Sequence, residues 1–404
     1  MARIMGAYTR EELAERAGVS VDFVDRLVDF RLLLPADGQF SDGDLRRTRF
    51  VRNLEQGGVT LETIGEAVEG GAISFGFFDA GYWERFGGLT GTTYRRLSTE
   101  TGVSIELLST LRESMGYARP GPDDAVREDE LVVVPLLRTL IAMGANPLAL
   151  ERHMRIWGDS MRRVADADGS FYRSEIEEPL LAAGLGWSDM LRAASEATEA
   201  MVPLLDPALL SMYHAQSEHT WMGNIVEAME SALEDAGLHR SPENVPAMCF
   251  LDLSGYTRLT EERGDQAAAE MAATLAKLVQ TGSHVRGGRP VKWLGDGVMV
   301  HFRQPGAAVL FALEMREVIP AADLPPPHAG IAAGPIVFQD GDYYGRTVNV
   351  AARVSARATA GQVLATDEVV RVTTDPDVEF VDMGPAELKG VSRPVRLHEA
   401  RRRD

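Results

Sequence analysis

Residues 292–297, KWLGDG, hold Asp296 between two glycines, with Lys292 four residues upstream. The stretch lies between two apolar runs, Gly288 to Val291 and Val298 to Phe302, that read as strands. Gly295 and Gly297 let the chain turn tightly and push the acid forward. Asp252, 44 residues earlier, closes a second apolar run within Phe250 to Thr257, FLDLSGYT. Two carboxylates on adjacent strand ends of one sheet can hold two divalent cations. Such a clamp serves in-line displacement at phosphorus.

The elements that must position these acids start at Ala247, where strands and helices begin to alternate. The pattern predicts a strand at 247–253, a helix at 265–285, a hairpin at 288–302, a helix at 305–319, a strand at 328–337 and a helix at 345–358, with short strands to Glu399. That order is βαββαβ-like. The predicted class is therefore α+β, a ferredoxin-like palm preceded by an all-α region. A polar linker from Arg240 to Pro246 separates the two.

A chain of 404 residues has room for two or three domains, each with its own core. Its 45% hydrophobic and 25% charged content is that of a soluble globular protein. The net charge of −19 argues against non-specific DNA binding and against docking on anionic membranes. The lone cysteine, Cys249, sits in an apolar strand and reads as a buried small hydrophobe. No signal peptide opens the chain. The most apolar run, Leu131 to Gly144, is short and broken by Pro135 and Arg138, so no membrane span is expected. The expected compartment is the cytoplasm.

The first 240 residues read as helices. Thr9 with Glu12 forms a capping box, Gly18 ends the helix, and Ser20 caps the next. A wing-like turn follows at Leu34 to Ser41, then helices from Asp42 to Glu55 and Leu61 to Val68. The order resembles a MerR-type winged helix-turn-helix over residues 1–72. The second helix, however, sets Asp22, Asp25 and Asp29 against Arg26 and Arg31, and phosphates would repel it. A protein-contact module fits that charge better. Leu97, Gly102, Val103, Ser104 and Leu111 match Leu13, Gly18, Val19, Ser20 and Leu27 at an offset of 84. Leu140, Gly144 and Asn146 match Leu54, Gly58 and Thr60 at 86, which points to a duplicated unit at 88–165. The aromatics between the units, Phe75, Phe77, Phe78, Tyr82, Trp83 and Phe86, read as packing rather than a ligand pocket. Residues 166–240 read as a helical bundle ending in a connecting helix that starts at Pro207. Met222, Ile225, Met229 and Leu233 give that helix a narrow apolar stripe suited to a two-helix seam.

Three ordered motifs, Phe250-x-Asp252-x-x-Gly255, Lys292-x-x-Gly295-Asp296 and Asp342 through Asn349 to Arg353, resemble the class III adenylyl cyclase catalytic domain over residues 245–400. The helical part resembles the regulatory domain of some actinobacterial cyclases. The resemblance implies conversion of ATP to 3′,5′-cyclic AMP and pyrophosphate. It assigns two Mg²⁺ or Mn²⁺ per site to Asp252, Asp296 and the Leu253 carbonyl. Ser254, Gly255, Tyr256 and Thr257 would face phosphate with their amides. Asn349 would orient the ribose, and Arg353, one helical turn on, would meet charge growing at the α-phosphate. Lys292 would donate to adenine N1 and Asp342 accept from the N6 amine. Lys389 would meet the terminal phosphates. In this family the acids and the Asn/Arg pair face each other across a dimer interface, so a homodimer with two shared sites is implied. The rival readings are a MerR-like transcriptional regulator whose degenerate cyclase domain senses nucleotide, and a guanylyl cyclase. The regulatory ligand is not legible.

Overall fold

Side-chain caps fix the helices of the N-terminal part, and the caps recur. Thr9 starts α1 (Arg10–Ala17) with the reciprocal Glu12 box, and Gly18 at φ 69° ends it. Ser20 caps α2 (Val21–Asp29), Ser41 boxes α3 (Asp42–Gln56), and Thr60 caps α4 (Leu61–Glu69). After β1 (Leu89–Thr93) the series repeats. Thr93 caps α5 (Tyr94–Thr101), Gly102 at φ 74° ends it, and Ser104 caps α6 (Ile105–Ser114). Then β2 (Ala125–Arg127) pairs with β1, followed by α7 (Glu128–Ala142) and α8 (Pro147–Tyr172), the latter capped by Asn146.

This computed structural model describes residues 8–79, 86–238 and 245–403, leaving out also the side chains of Glu227, Glu234 and Thr257. It divides into two compact units, Met1–Gly223 and Asn224–Asp404. Within the first, the repeated halves share more than caps. Helices α3 and α7 are both 15 residues long. The Tyr8 hydroxyl donates to Asp42, at the start of α3. Tyr94 donates to buried Glu130, at the start of α7, at 2.6 Å. Each half closes its own core, one around Leu13, Leu27, Phe40 and Ile64, the other around Leu97, Leu107, Leu137 and Met154. Gly158 lets α8 cross the end of α6 backbone to backbone, since a Cβ there would fall 2.2 Å from the Ser114 carbonyl oxygen.

The aromatic cluster divides. Phe75 and Phe78 are buried and pack with Phe50, as expected. Phe77 and Phe86 line an apolar cavity of about 710 Å³ with Phe171 and Leu204. Tyr82 and Trp83 lie outside the described residues. Helix α8 passes through a π turn, Arg173–Glu177, into α9 (Glu178–Ala182). The helix expected to start at Pro207 does not start there: α10 (Trp187–Asp235) runs unbroken through Pro203 and Pro207. Proline's fixed φ suits a helix, but each ring removes one hydrogen bond and crowds the preceding turn, at about 3 kcal/mol that the rest of the helix must offset. Helix-forming neighbours rich in Ala, Leu and Met carry the chain across. The stripe Met222, Ile225, Met229 and Leu233 is exposed.

The second unit is built on β3 (Ala247–Leu253), α11 (Tyr256–Arg263), α12 (Asp265–Val285), β4 (Gly288–Leu294), β5 (Gly297–Phe302), α13 (Pro305–Ala321) and β6 (Pro327–Ala333). It continues through β7 (Val337–Gln339), β8 (Asp342–Tyr344), α14 (Arg346–Ser355), β9 (Val363–Thr366), α15 (Asp367–Val372), β10 (Val378–Ala386) and β11 (Val395–Arg402). The main sheet runs β10-β11-β9-β6-β3-β5-β4, with only β6 and β9 parallel. The class is α+β, as read. The strand expected at 328–337 stops at Ala333, because Gly334 at φ 153° and Pro335 turn the chain into a separate β7–β8 hairpin.

Strand alternation gives the sheet two cores. Cys249 and Leu251 face α12 and α13, with Phe311 and Ile319. Met248 faces α14, with Val350 and Val354. Cys249 is fully buried, and burial pushes its thiol up to about 12, so it packs as an inert hydrophobe.

Candidate active site

Asp252 stands opposite Gly297 of β5 on one side and His328 of β6 on the other. Alternation puts it on the α14 face of the sheet. Asp296 occupies the two-residue turn between β4 and β5, with Gly295 at φ 73° supplying the left-handed step. A Cβ at position 297 would lie 2.9 Å from Asp252 Oδ1, so glycine there leaves the carboxylate its place. Burial, and then the charge of Asp296, raise the Asp252 carboxyl above the ordinary value. Among the described residues neither acid pairs with a lysine or arginine, and the nearest cation-capable group is His328, 3.8 Å from Asp252.

Two coupled carboxylates without a cationic side chain are a donor set that fits divalent cations. No group of three or more His, Cys, Asp or Glu side chains converges among the described residues. The remaining coordination would come from backbone, water and phosphate oxygens, which is how Mg²⁺ is ordinarily held. Leu253 ends β3 with its side chain buried, next to both acids' strands.

Gly255, at φ 81°, is the N-cap of α11 and leaves the first-turn amides without a side-chain cap. Uncapped amides at a helix start are suited to anions. Ser254 is tied to the start of β6 through its amide, which donates to the Pro326 carbonyl at 3.0 Å. Tyr256 ties α11 to α12, its hydroxyl donating to the Ala268 carbonyl at 3.0 Å. The Thr257 side chain lies outside the described atoms.

Lys292 and Asp342, 50 residues apart, meet as an ion pair at 3.0 Å. The pair is largely exposed on the lysine side, so its mutual attraction is weak and a base edge can compete for it. Asp342 also accepts from the Tyr343 amide at 2.8 Å, which fixes its rotation.

Asn349 and Arg353 project from the exposed face of α14. Their side chains form no hydrogen bond or ion pair among the described residues. The helix that carries them is seated on β6 by Gly330, where a Cβ would fall 2.0 Å from the Ser355 nitrogen. Lys389 is exposed in the turn between β10 and β11, after buried Leu388. The structure thus brings Asp252 to Asp296 and Lys292 to Asp342. Among the described residues it joins Asn349, Arg353 and Lys389 to neither pair by any hydrogen bond or ion pair. Sequence reasoning missed His328, because nothing in the run 325–330, PPPHAG, marks it; only the β3–β6 register does.

Residues 239–399 match the adenylate and guanylate cyclase catalytic domain, and residues 37–221 match the adenylate cyclase regulatory domain. A pH-sensitive adenylate cyclase of Mycobacterium tuberculosis is 29% identical over 320 residues, covering 76% of this chain and 77% of the relative. An adenylate cyclase of Streptomyces coelicolor is 27% identical, covering 69% of this chain and 71% of its own. The crystal structure of the adenylyl cyclase CyaB from P. aeruginosa aligns at 24% identity over 39% of this chain and 94% of that one, with a TM-score of 0.36. On the family match, residues 239–399 carry a class III nucleotidyl cyclase catalytic domain. Residues 37–221 before it match an adenylate cyclase regulatory domain, and the chain's relatives include actinobacterial adenylate cyclases.

Proposed function

We propose that the protein is a homodimeric adenylyl cyclase, cytoplasmic and controlled by its helical N-terminal region, that converts ATP to 3′,5′-cyclic AMP and pyrophosphate. One observation carries the reading: Asp252 and Asp296 converge without a cationic partner, while Lys292 and Asp342 form a donor–acceptor pair in the same chain. Among the described residues no helix is long and apolar enough to cross a membrane.

Each residue then has a task. Asp252 and Asp296, with the Leu253 carbonyl, would hold two Mg²⁺ or Mn²⁺, which when bound would lower the pKa of the ribose 3′-hydroxyl and neutralise triphosphate charge. The amides of Ser254 to Thr257 hold phosphate oxygens at the start of α11. Lys292 donates to adenine N1, and Asp342 accepts from the N6 amine. Guanine presents the opposite pattern on that edge, so the pair selects ATP. Asn349 orients the ribose, and the Arg353 fork meets charge developing at the α-phosphorus. Lys389 meets the terminal phosphates.

The homodimer follows from the unpaired Asn349/Arg353 face and from an apolar rim. Trp293, Leu294, Val337, Phe338 and Tyr344 are all more than two-fifths exposed, which suits burial against a second copy. Control by the helical region would act through α10, with its apolar stripe as a seam between copies. The DNA-regulator reading gains nothing here, since Arg26 is held by Glu55 and Arg10 by Asp25. The test is purified protein with ATP and GTP in competition, under Mg²⁺ and then Mn²⁺, with products identified by mass. Cyclic AMP in excess is expected. Cyclic GMP as the only cyclic product would make it a guanylyl cyclase, and no cyclic product under either metal would overturn the proposal.

A further inference from the structure

His328 lies against both Asp252 and Ser254, the acid end and the start of the phosphate loop. It is the second residue of β6, directly across the ladder from Asp252. Its side chain is 13% exposed. The Ser254 hydroxyl lies 3.1 Å from His328 Nδ1, and His328 Nε2 lies 3.8 Å from Asp252 Oδ2. If the serine hydroxyl donates to Nδ1, the neutral ring carries its proton on Nε2, facing the carboxylate. At 3.8 Å this is a charge–dipole contact, longer than a hydrogen bond.

The two oxygens of Asp252 are thereby divided. Oδ1 lies on the side of Gly297, where the missing Cβ leaves room and where the Asp296 turn begins. Oδ2 lies on the side of His328. A carboxylate free to rotate would present either oxygen to a cation. One steered by a ring on a neighbouring strand presents a fixed one.

We propose that His328 is a positioning residue, coupling the rotation of the Asp252 carboxylate to the placement of the Ser254 loop, so that cation and phosphate sites are set together. This rests on the cyclase reading for what the cation does, but not for whether it binds. Groups that hold a ligating carboxylate commonly govern metal affinity by about 10–100-fold.

The experiment titrates Mn²⁺ into full-length protein with a non-cyclisable ATP analogue and follows free Mn²⁺ by its electron paramagnetic resonance signal. His328→Ala should weaken Mn²⁺ binding by about 10–100-fold. His328→Gln keeps a donor near the Nε2 position and should recover most of that loss. His328→Asn keeps a polar atom near Nδ1 only, and should remain weak although its melting temperature stays close to that of the unaltered protein. Wild-type Mn²⁺ affinity in folded His328→Ala overturns the proposal. Should that variant fail to fold, wild-type affinity in His328→Asn overturns it equally. Absence of cyclic nucleotide from the unaltered protein would sink the cyclase reading and leave the Mn²⁺ comparison intact.

Discussion

The two ends of the catalytic unit differ in how complete they are within one chain. At the β3–β5 end, Asp252 and Asp296 converge, and His328 links Asp252 to Ser254. On α14, Asn349 and Arg353 stand exposed with their side chains unengaged among the described residues. On the proposed reading, an exposed arginine and two converging acids on one chain without contact are what a site shared between copies would leave visible in a single copy. If the homodimer proposal holds, a chain carrying every motif still folds to only half of each site.

The sharpest way to break this comparison is to split it between chains. Asp252→Ala alone and Arg353→Ala alone should each reduce cyclic AMP formation, the first to background and the second by about 10²–10³-fold. Mixed in equal amounts and allowed to exchange, they should recover about a quarter of wild-type activity, because half the dimers carry one intact site of two. No recovery in a mixture shown to contain heterodimers would mean the site is built within one chain.

A smaller effect tests the base-reading pair. Lys292→Glu combined with Asp342→Ser should cost about 1–3 kcal/mol of discrimination, a tens-of-fold loss of preference for ATP over GTP in a competition assay. An unchanged ratio would remove Lys292 and Asp342 from base selection.

Seating of α14 comes next. Gly330→Ala should destabilise the protein by about 1–3 kcal/mol in denaturant unfolding, since backbone meets the new methyl and cannot yield cheaply. Cyclisation should fall more than Mn²⁺ binding does, because α14 moves while the acids stay. Equal losses in both would tie the helix to the acid end after all.

The smallest effect is thermodynamic. The folded-state pKa of Asp252 is raised, by burial first and Asp296 second. The folded protein therefore binds that proton more tightly than the unfolded chain. This stability is present below the unfolded value and lost as pH rises through the folded one. Asp252→Asn, which cannot ionise, should raise the melting temperature above that window in metal-free buffer, while removing activity. No gain in melting temperature would show that neither burial nor the charge of Asp296 penalises the ionised Asp252 carboxylate.

Much of the fold was legible because its signals are local. The Thr9 box, the Ser20 and Ser104 caps and the Gly18 and Gly102 terminators all act within one helical turn, and each is where the spacing put it. Strand β3 and helix α12 match their expected bounds for the same reason. Pro207 misled because a proline's cost is local but a 49-residue helix is sustained by everything around it. The β7–β8 hairpin was hidden because 328–337 reads as one apolar run, and only Gly334 and Pro335 divide it.

The amino-acid order by itself determined which acids, amides and basic groups exist, how the helices begin and end, and that the acid turn must be a hairpin flanked by glycine. Tertiary structure alone decided that Lys292 closes on Asp342 across 50 residues, that His328 lands opposite Asp252, and that Gly330 lets α14 lie against β6. The division has one physical cause. Caps and turns are short-range chemistry between neighbours in the chain, whereas strand register and helix seating are settled by burying two faces of a sheet at once, and no window of sequence contains both faces.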